Sequence, residues 1–236
     1  MTRAKHPSGC SSQPHRAATQ RQAVVLFARS PEREAAAKRM GGAAPLFRAV
    51  VAAWLRAAEA HGARPVIACE PRDRNALAAI APEVPRDWIE QPRAAFGERV
   101  CSATTEAFAR GFASVVIAAI DAPPPRRLGE ALTSLANGVE VIGPARDGGI
   151  NFIGMTHADR ALLANLTLAR GRAALPHAVV FEAATDVDSP AALQLARREK
   201  SWSGYIPPQP ATSTPYIPHV LRGVCRPRAS RPPPPA

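Results

Sequence analysis

The chain has 236 residues and a formal net charge of +11, but only 5% of its residues are aromatic. Residues 1–22 carry four basic and no acidic residues, and residues 201–236 carry four arginines and no acid. The body between them is nearly balanced in charge, and side chains that stack on bases are few, which argues against specific nucleic-acid binding. No apolar run reaches the ~18 residues of a membrane span, so we expect a cytoplasmic protein without one.

Composition divides the chain into a body and two tails. Residues 1–22 are polar and basic, and residues 201–236 are rich in proline, so we predict that both are disordered. The four cysteines have no C-x-x-C spacing and the six histidines no H-x-x-x-H spacing, which makes a zinc site unexpected. Residues 23–200 are then a single domain.

The predicted elements of the body alternate between strands and helices. In chain order they are a strand at Ala23–Ala28, a helix at Pro45–His61, a strand at Pro65–Cys69, a short helix at Asp73–Ile80, a short strand at Trp88–Glu90, a helix at Gly97–Arg110, a strand at Val115–Ile120, a helix at Arg126–Ala136, strands at Val139–Ile142 and Ile150–Met155, a helix near Ala158–Leu168, a strand at Ala178–Glu182 and a helix from Pro190 with Ser189 as its N-cap.

This alternation predicts an α/β protein with a mostly parallel sheet between two layers of helices. The strand at Ile150–Met155 follows its predecessor too closely for a helical crossover. It therefore runs antiparallel, and the sheet is mixed. The expected architecture is one three-layer αβα domain of Rossmann-like type.

Asp121 follows the unbroken apolar run Val115–Ile120 and precedes Ala122 and three prolines. A carboxylate at the end of a buried strand is suited to bind Mg²⁺ or Mn²⁺ beside phosphates. The same pattern also begins a turn, and from the local sequence alone the turn is the more common meaning.

A second motif is the glycine-rich segment Gly143–Gly149, in which Asp147 is followed by Gly148 and Gly149. Its main chain can approach a ligand closely, and Asp147 can position a substrate hydroxyl. Asp-Gly is equally typical of a tight turn between adjacent strands.

Two further motifs begin helices. Asp186 and Asp188, two residues apart in an extended segment, point the same way and suit a metal or a sugar phosphate, or else complement a helix dipole. Gly97-Glu98-Arg99 opens a helix whose free amide groups can bind an anion, with Arg99 pairing to a phosphate, although a solvated arginine is the ordinary reading.

The segment after the first strand is the usual nucleotide cradle of a doubly wound sheet. It runs from Phe27, Ala28 and Arg29 to Lys38 and Arg39, and it contains no glycine before Gly41. A plain loop with solvated charges competes with the cradle as its interpretation.

Five of these motifs, in this order, resemble a bacterial family of GT-A-type glycosyltransferase-like proteins of unknown function, within the nucleotide-diphospho-sugar transferases. They are Phe27-Ala28-Arg29-Ser30-Pro31, Gly97-Glu98-Arg99-Val100, Ile120-Asp121-Ala122-Pro123, Gly143–Met155 and Asp186–Pro190. The resemblance spans about residues 23–198 and implies a GT-A fold that binds a nucleotide with a divalent cation, Mg²⁺ or Mn²⁺.

By this resemblance, Asp121 is the metal-binding carboxylate, and Asp188 approaches the metal or the sugar. Asp147 lines the donor or acceptor pocket with Gly148 and Gly149, and a carboxylate orients or deprotonates the acceptor hydroxyl. The residues expected to contact the nucleotide and its phosphates are Phe27, Ala28, Arg29, Lys38, Arg39 and Arg99.

The first loop departs from the family pattern. Glu34 stands at the position of the family's glycine and Ala37 at that of its lysine, while Arg39 is retained. Three functions follow as expectations: transfer of a sugar from a nucleotide sugar, nucleotidyl transfer to a small phosphate-bearing substrate, and a binding or regulatory role without catalysis.

Overall fold

The computed structural model describes residues 22–206. Seven strands form a single sheet: β1 (Gln22–Phe27), β2 (Arg64–Cys69), β3 (Asp87–Glu90), β4 (Ser114–Ala119), β5 (Val141–Pro144), β6 (Ile150–Met155) and β7 (Val179–Val180). The eight α-helices of this part of the chain are α1 (Pro31–Ala37), α2 (Ala44–Ala60), α3 (Arg74–Ala78), α4 (Phe96–Ala109), α5 (Leu128–Ala136), α6 (Arg160–Leu163), α7 (Leu168–Ala174) and α8 (Pro190–Ala196). Short 3₁₀ helices lie at Pro71–Asp73 and Lys200–Trp202.

The strand order is β3-β2-β1-β4-β6-β5-β7. All neighbours are parallel except β6, which is antiparallel to both β4 and β5. The prediction of a mixed, mostly parallel sheet is therefore confirmed. The chain moves to opposite sides of β1 when it forms β2 and β4, which makes the carboxyl ends of β1 and β4 the topological switch point of the sheet.

Helices cover both faces of the sheet, as predicted. Along β1, Val24 and Leu26 pack on the face covered by α1, α2, α3, α5 and α8. Ala23 and Val25 pack on the opposite face, under α4, α6 and the end of α7. This alternation follows from the two-residue period of a strand and produces three layers with two apolar interfaces.

Several local predictions need correction. The segment after β1 is not a plain loop, because Pro31–Ala37 forms α1, with proline in its first turn and alanines at its end. The expected helix near Ala158–Leu168 is two short helices, α6 and α7, and Thr167 caps the second by accepting a hydrogen bond from the Arg170 N–H. Strand pairing begins at Val141 instead of Val139, because Val139 closes the turn that ends α5.

The ends of the folded body also differ from the expected ones. Gln22 begins β1 and is buried, with its side-chain amide donating to Ser114 Oγ over 3.0 Å. Trp202 is fully buried, and its Nε1 donates to the Thr185 carbonyl over 2.9 Å. The predicted tails otherwise lie outside the described residues. Within residues 22–206, no helix is long and apolar enough to cross a membrane.

Candidate functional site

A pocket of about 140 Å³ lies at the topological switch point. Phe27, Ala28 and Arg29 line it from the end of β1, and Asp121 lines it from the end of β4. Arg99 on α4 contributes another part of the wall. The structure thus brings together five of the residues that the sequence selected, at the place where sheets of this kind bind their ligands.

Arg99 is held between aromatic rings. Its guanidinium carbon lies 5.5 Å from the ring centre of Phe27 and 5.9 Å from that of Phe96, and the two rings meet edge to face. Its Nη1 donates to Gln91 Oε1 over 3.0 Å. Its shielded Nε has no hydrogen-bond partner among residues 22–206, which leaves a donor for an anionic ligand.

Gly97 explains how Arg99 reaches this position. A side chain at Gly97 would overlap the backbone of Ala164 at the end of α6, so only glycine allows the first turn of α4 to pack there. Gly97 is therefore required for packing, while the chemistry of the Gly97-Glu98-Arg99 motif resides in Arg99.

The first loop is docked onto the end of β2. The buried Asp73 side chain accepts a 3.0 Å hydrogen bond from the Ser30 N–H and forms an ion pair with Arg33. Because Asp73 is fully buried, these contacts fix the start of α1 beside the pocket.

The cations of this loop are engaged by acidic residues. Lys38 Nζ lies 2.9 Å from Asp121 Oδ2 and 3.5 Å from Glu34 Oε1, and Arg29 Nη1 lies 3.5 Å from Glu34 Oε2. Burial lowers the pKa of Lys38, but its attraction to Asp121 and Glu34 outweighs burial, and the pKa is raised. Glu34 therefore neutralises positive charge of this loop. Arg39 is exposed, with a φ of 54°, and does not line the pocket.

The acidic segment that precedes α8 lies beside Asp121. The Val187 N–H donates to the Asp121 carbonyl over 2.8 Å. Burial, followed by the charges of Asp121, Asp147 and Asp188, raises the pKa of Asp186 to about 6. Asp186 is partly buried and Asp188 is exposed. Four carboxylates thus share one region of negative potential.

Asp147, Gly148 and Gly149 form the turn between β5 and β6 and do not line the pocket. The Asp147 side chain accepts a 2.8 Å hydrogen bond from the Gly149 N–H, and Gly148 has a φ of +94°. The turn conformation explains the Asp-Gly-Gly sequence by itself. Asp147 is exposed and reaches the acidic region only through its charge.

No group of three metal-ligating side chains converges within residues 22–206. Mg²⁺, however, is commonly held by one or two carboxylates together with phosphates of its substrate. Asp121 and the partly buried Asp186, whose charges interact, could supply these two carboxylates. The donor set therefore fits a divalent cation that arrives with a phosphate ligand.

Several residues of the pocket were not predicted from the sequence. Gln91 follows β3 directly, which is the same strand-end position that singled out Asp121, and its Nε2 donates to the Ala68 carbonyl over 2.6 Å. Phe96 is 57% exposed although it is large and apolar. Asn151, the second residue of β6, also lines the pocket. Of these three residues, only Gln91 was identifiable from the sequence, because it directly follows a predicted strand.

The sequence profile of a family described as "Uncharacterized protein conserved in bacteria (DUF2064)" matches residues 51–170. This match includes Arg99, Asp121 and Asp147 and excludes the first loop and the acidic segment that precedes α8. No curated protein sequence is significantly similar to the chain.

Solved structures show the fold. A protein from Desulfovibrio desulfuricans G20, provisionally named a nucleotide-diphospho-sugar transferase, matches with a TM-score of 0.61 and 21% identity over 79% of this chain and 91% of its own. Rv0371c from Mycobacterium tuberculosis H37Rv, in a complex with manganese, has a TM-score of 0.45 and 18% identity over 74% and 96% of the two chains. The inositol-1-phosphate CTP transferase of T. maritima has a TM-score of 0.45 and 13% identity over 80% and 99%. The first similarity identifies the α/β fold, and the other two are too low to add to it.

Proposed function

The chain belongs to the bacterial family DUF2064, and we propose that it is a glycosyltransferase-like enzyme that binds a nucleotide sugar at the switch point. The observation that carries the proposal is the combination, in one pocket, of Arg99 stacked on aromatic rings with the strand-end carboxylate Asp121. An arginine with a free donor suits a diphosphate, and exposed Phe96 offers a face to a base.

The first loop completes the proposed phosphate site. Lys38 is within reach of a diphosphate beside Asp121, but it must exchange its carboxylate partners for phosphate oxygens. Arg39, one residue further on, is exposed and free to approach the ligand's outer side. Phe27, Ala28 and Arg29 line the inner wall.

Asp121 and Asp186 would hold the divalent cation together with the diphosphate, and Asp188 remains a proposed contact from the exposed side. When bound, the cation neutralises charge that develops on the departing nucleoside diphosphate. Asp147 and Asp188 are the proposed groups that orient or deprotonate the acceptor hydroxyl, because both are exposed at the edge of the same acidic region.

Glu34 supports a second candidate function, a nucleotide-binding protein without catalysis. It is 8% exposed and pairs with both Arg29 and Lys38, so it competes with phosphate inside the pocket. The two candidates agree on where a nucleotide binds and differ on whether a sugar is released.

A thermal-shift titration of the full chain with nucleoside diphosphates and their sugars, with and without Mn²⁺, tests the proposal. Binding to the native state raises the unfolding midpoint by mass action. We expect a shift that requires Mn²⁺ and is abolished by Asp121→Asn, with affinity falling at least about tenfold. Glu90→Gln, at the exposed end of the edge strand β3, is the matched control and should bind as the wild type.

Each remaining outcome selects between the candidates. Metal-dependent binding with release of free sugar or transfer to an acceptor supports the enzyme. Binding that is indifferent to metal, with no sugar release, assigns the chain to the second function. Equal affinities in Asp121→Asn and the wild type would refute the placement of the nucleotide.

A further inference from the structure

A second cavity, of about 420 Å³, lies on the other side of β6 from the pocket. We call it the arginine groove. Its rim is formed by the segment 123–127 after β4 and by residues 198–201 after α8, and its floor includes Gly143, Phe152 and Phe181. A side chain at Gly143 would overlap the Phe152 ring, so glycine is what allows this aromatic floor to close.

The arginine groove has an excess of cations that are not neutralised internally. Arg126, Arg198 and Lys200 line it, and none of them forms an ion pair within the described part of the chain. Arg126 Nη2 donates to the Lys200 carbonyl over 3.1 Å, which positions its guanidinium without cancelling its charge. Two further arginines of the lining, Arg127 and Arg146, are paired with Glu130 and Glu199.

The acidic side chains of the groove do not offset this excess. Burial raises the pKa of the Glu199 carboxyl, but hydrogen bonds from Thr185, Arg146 and Ser201 outweigh burial and lower it. Glu182 is exposed on the rim. Residues 207–236 contain no Asp or Glu that could pair with the cations of the rim.

We propose that the arginine groove binds an organic phosphomonoester. A phosphate dianion matches the unpaired guanidinium groups of Arg126 and Arg198, which donate in a fork suited to phosphate oxygens. The ring centres of Phe152 and Phe181 lie 5.6 Å apart, and Phe181, which is only partly buried, offers an apolar surface on which the body of the ester packs. Inorganic phosphate would contact only the cations of the rim and not the aromatic floor.

The groove and the nucleotide pocket are neighbours, since Asn151 and Phe152 line both cavities. This step presupposes the proposed function. In it, the phosphomonoester is the acceptor, and its hydroxyl group receives the sugar from the neighbouring pocket at Asn151, which lines both cavities. Binding of the ester itself does not depend on that role, so the two ideas can fail separately.

Isothermal titration of the full chain with phenyl phosphate, inorganic phosphate and phenol tests the groove. We expect phenyl phosphate to bind more tightly than inorganic phosphate, and phenol to show no measurable binding. The double variant Arg126→Gln/Arg198→Gln should weaken phenyl phosphate at least about tenfold. Arg172→Gln, which removes the same charge from an exposed site on α7, is the matched control and should leave it unchanged.

The location is checked from the other cavity. Arg99→Gln should weaken the nucleotide and spare phenyl phosphate, and the groove variant should show the reverse pattern. Unaltered phenyl phosphate binding in the groove variant, loss in Arg99→Gln alone, or equal loss in Arg172→Gln would each overturn the proposal. So would binding of heparin without binding of phenyl phosphate, which would make the groove a surface for polyanions.

If the wild type binds phenyl phosphate through Arg126 and Arg198 but no nucleotide, the proposed transferase function fails and the groove assignment stands. If the nucleotide binds with Mn²⁺ and the groove variant changes nothing, the groove assignment fails and the transferase function stands.

Discussion

The two cavities that share β6 use their cations in opposite ways. In the pocket at the switch point, Arg29 faces Glu34 at 3.5 Å and Arg99 donates to Gln91, while Lys38 beside it faces Asp121 at 2.9 Å. In the arginine groove, Arg126 and Arg198 have no carboxylate partner among the described residues. The two cavities therefore differ in how their positive side chains are paired.

The difference determines what an anion has to displace. A diphosphate that enters the pocket must compete with Glu34 and Asp121 for Lys38. Its apparent affinity is the intrinsic affinity multiplied by the fraction of molecules in which the Lys38 ammonium group is free. A phosphate in the groove meets charges that are already available, so its binding needs no internal rearrangement. In the proposed function, the pocket therefore depends on a divalent cation and the groove does not.

The shared wall offers the strongest way to break this comparison. Phe152 is 5% exposed and packs edge to face on both Trp54 and Phe181. Phe152→Ala removes a buried ring and joins the two cavities, so we expect the free energy of unfolding to fall by about 3–5 kcal/mol. Urea denaturation followed by circular dichroism measures the loss.

Phe96→Ala is the control for that experiment, because Phe96 is 57% exposed at the mouth of the pocket. We expect a change of stability within about 0.5 kcal/mol and weaker nucleotide binding. Equal destabilisation by the two substitutions would show that Phe152 is not the wall that separates the cavities.

Replacing Glu34 makes the pocket resemble the groove. Glu34→Gln keeps the size of the buried side chain and removes the charge that competes for Arg29 and Lys38. We expect nucleoside diphosphates to bind about tenfold more tightly, which corresponds to about 1.4 kcal/mol. Titration calorimetry in the presence of Mn²⁺ measures the change.

Glu32→Gln controls for the loss of one negative charge from α1. Glu32 is more than half exposed and pairs with Arg48, away from the pocket lining. Its substitution should leave nucleotide affinity unchanged. If both variants bind more tightly, the effect is one of net charge, and if neither does, Glu34 does not compete with phosphate.

The fold was predictable because its signals are continuous and local. The apolar runs of β1, β2 and β4 and the amphipathic pattern of α2 define buried strands and a covering helix without any tertiary information. The antiparallel direction of β6 followed from its distance to β5 alone. Helix α1 escaped the prediction because its seven residues are too few for a helical period to emerge.

The site was only partly predictable. Arg99 and Asp121 stand at element ends, where the sequence pattern marks them. The pairing of Lys38 with Asp121 joins residues 83 positions apart, and the arginine groove joins Arg126 with Lys200 across 74 positions. Such partners depend on how α1 and the segment after α8 pack, and no local pattern encodes that packing.

The smallest expected effect concerns Glu199, the one carboxylate that is engaged within the groove. The pKa of Glu199 lies below its ordinary value near 4.5 in the folded protein: burial opposes the shift, and hydrogen bonds from Thr185, Arg146 and Ser201 outweigh it. The folded state therefore gains stability above pH 4.5 and loses it as the pH falls through the lowered pKa. Glu199→Gln lacks this gain, so we expect it to be about 1 kcal/mol less stable than the wild type at pH 7.

Urea denaturation of both proteins between pH 7 and pH 3 measures this difference, which should shrink towards zero at the acid end. Glu182→Gln, exposed on the same rim, is the control and should follow the wild type throughout. The substitution at Glu199 also releases Arg146, whose charge it otherwise pairs. Phenyl phosphate should therefore bind Glu199→Gln more tightly than the wild type at pH 7, and a weaker complex would show that Glu199 shapes the groove more than its charge opposes the ligand.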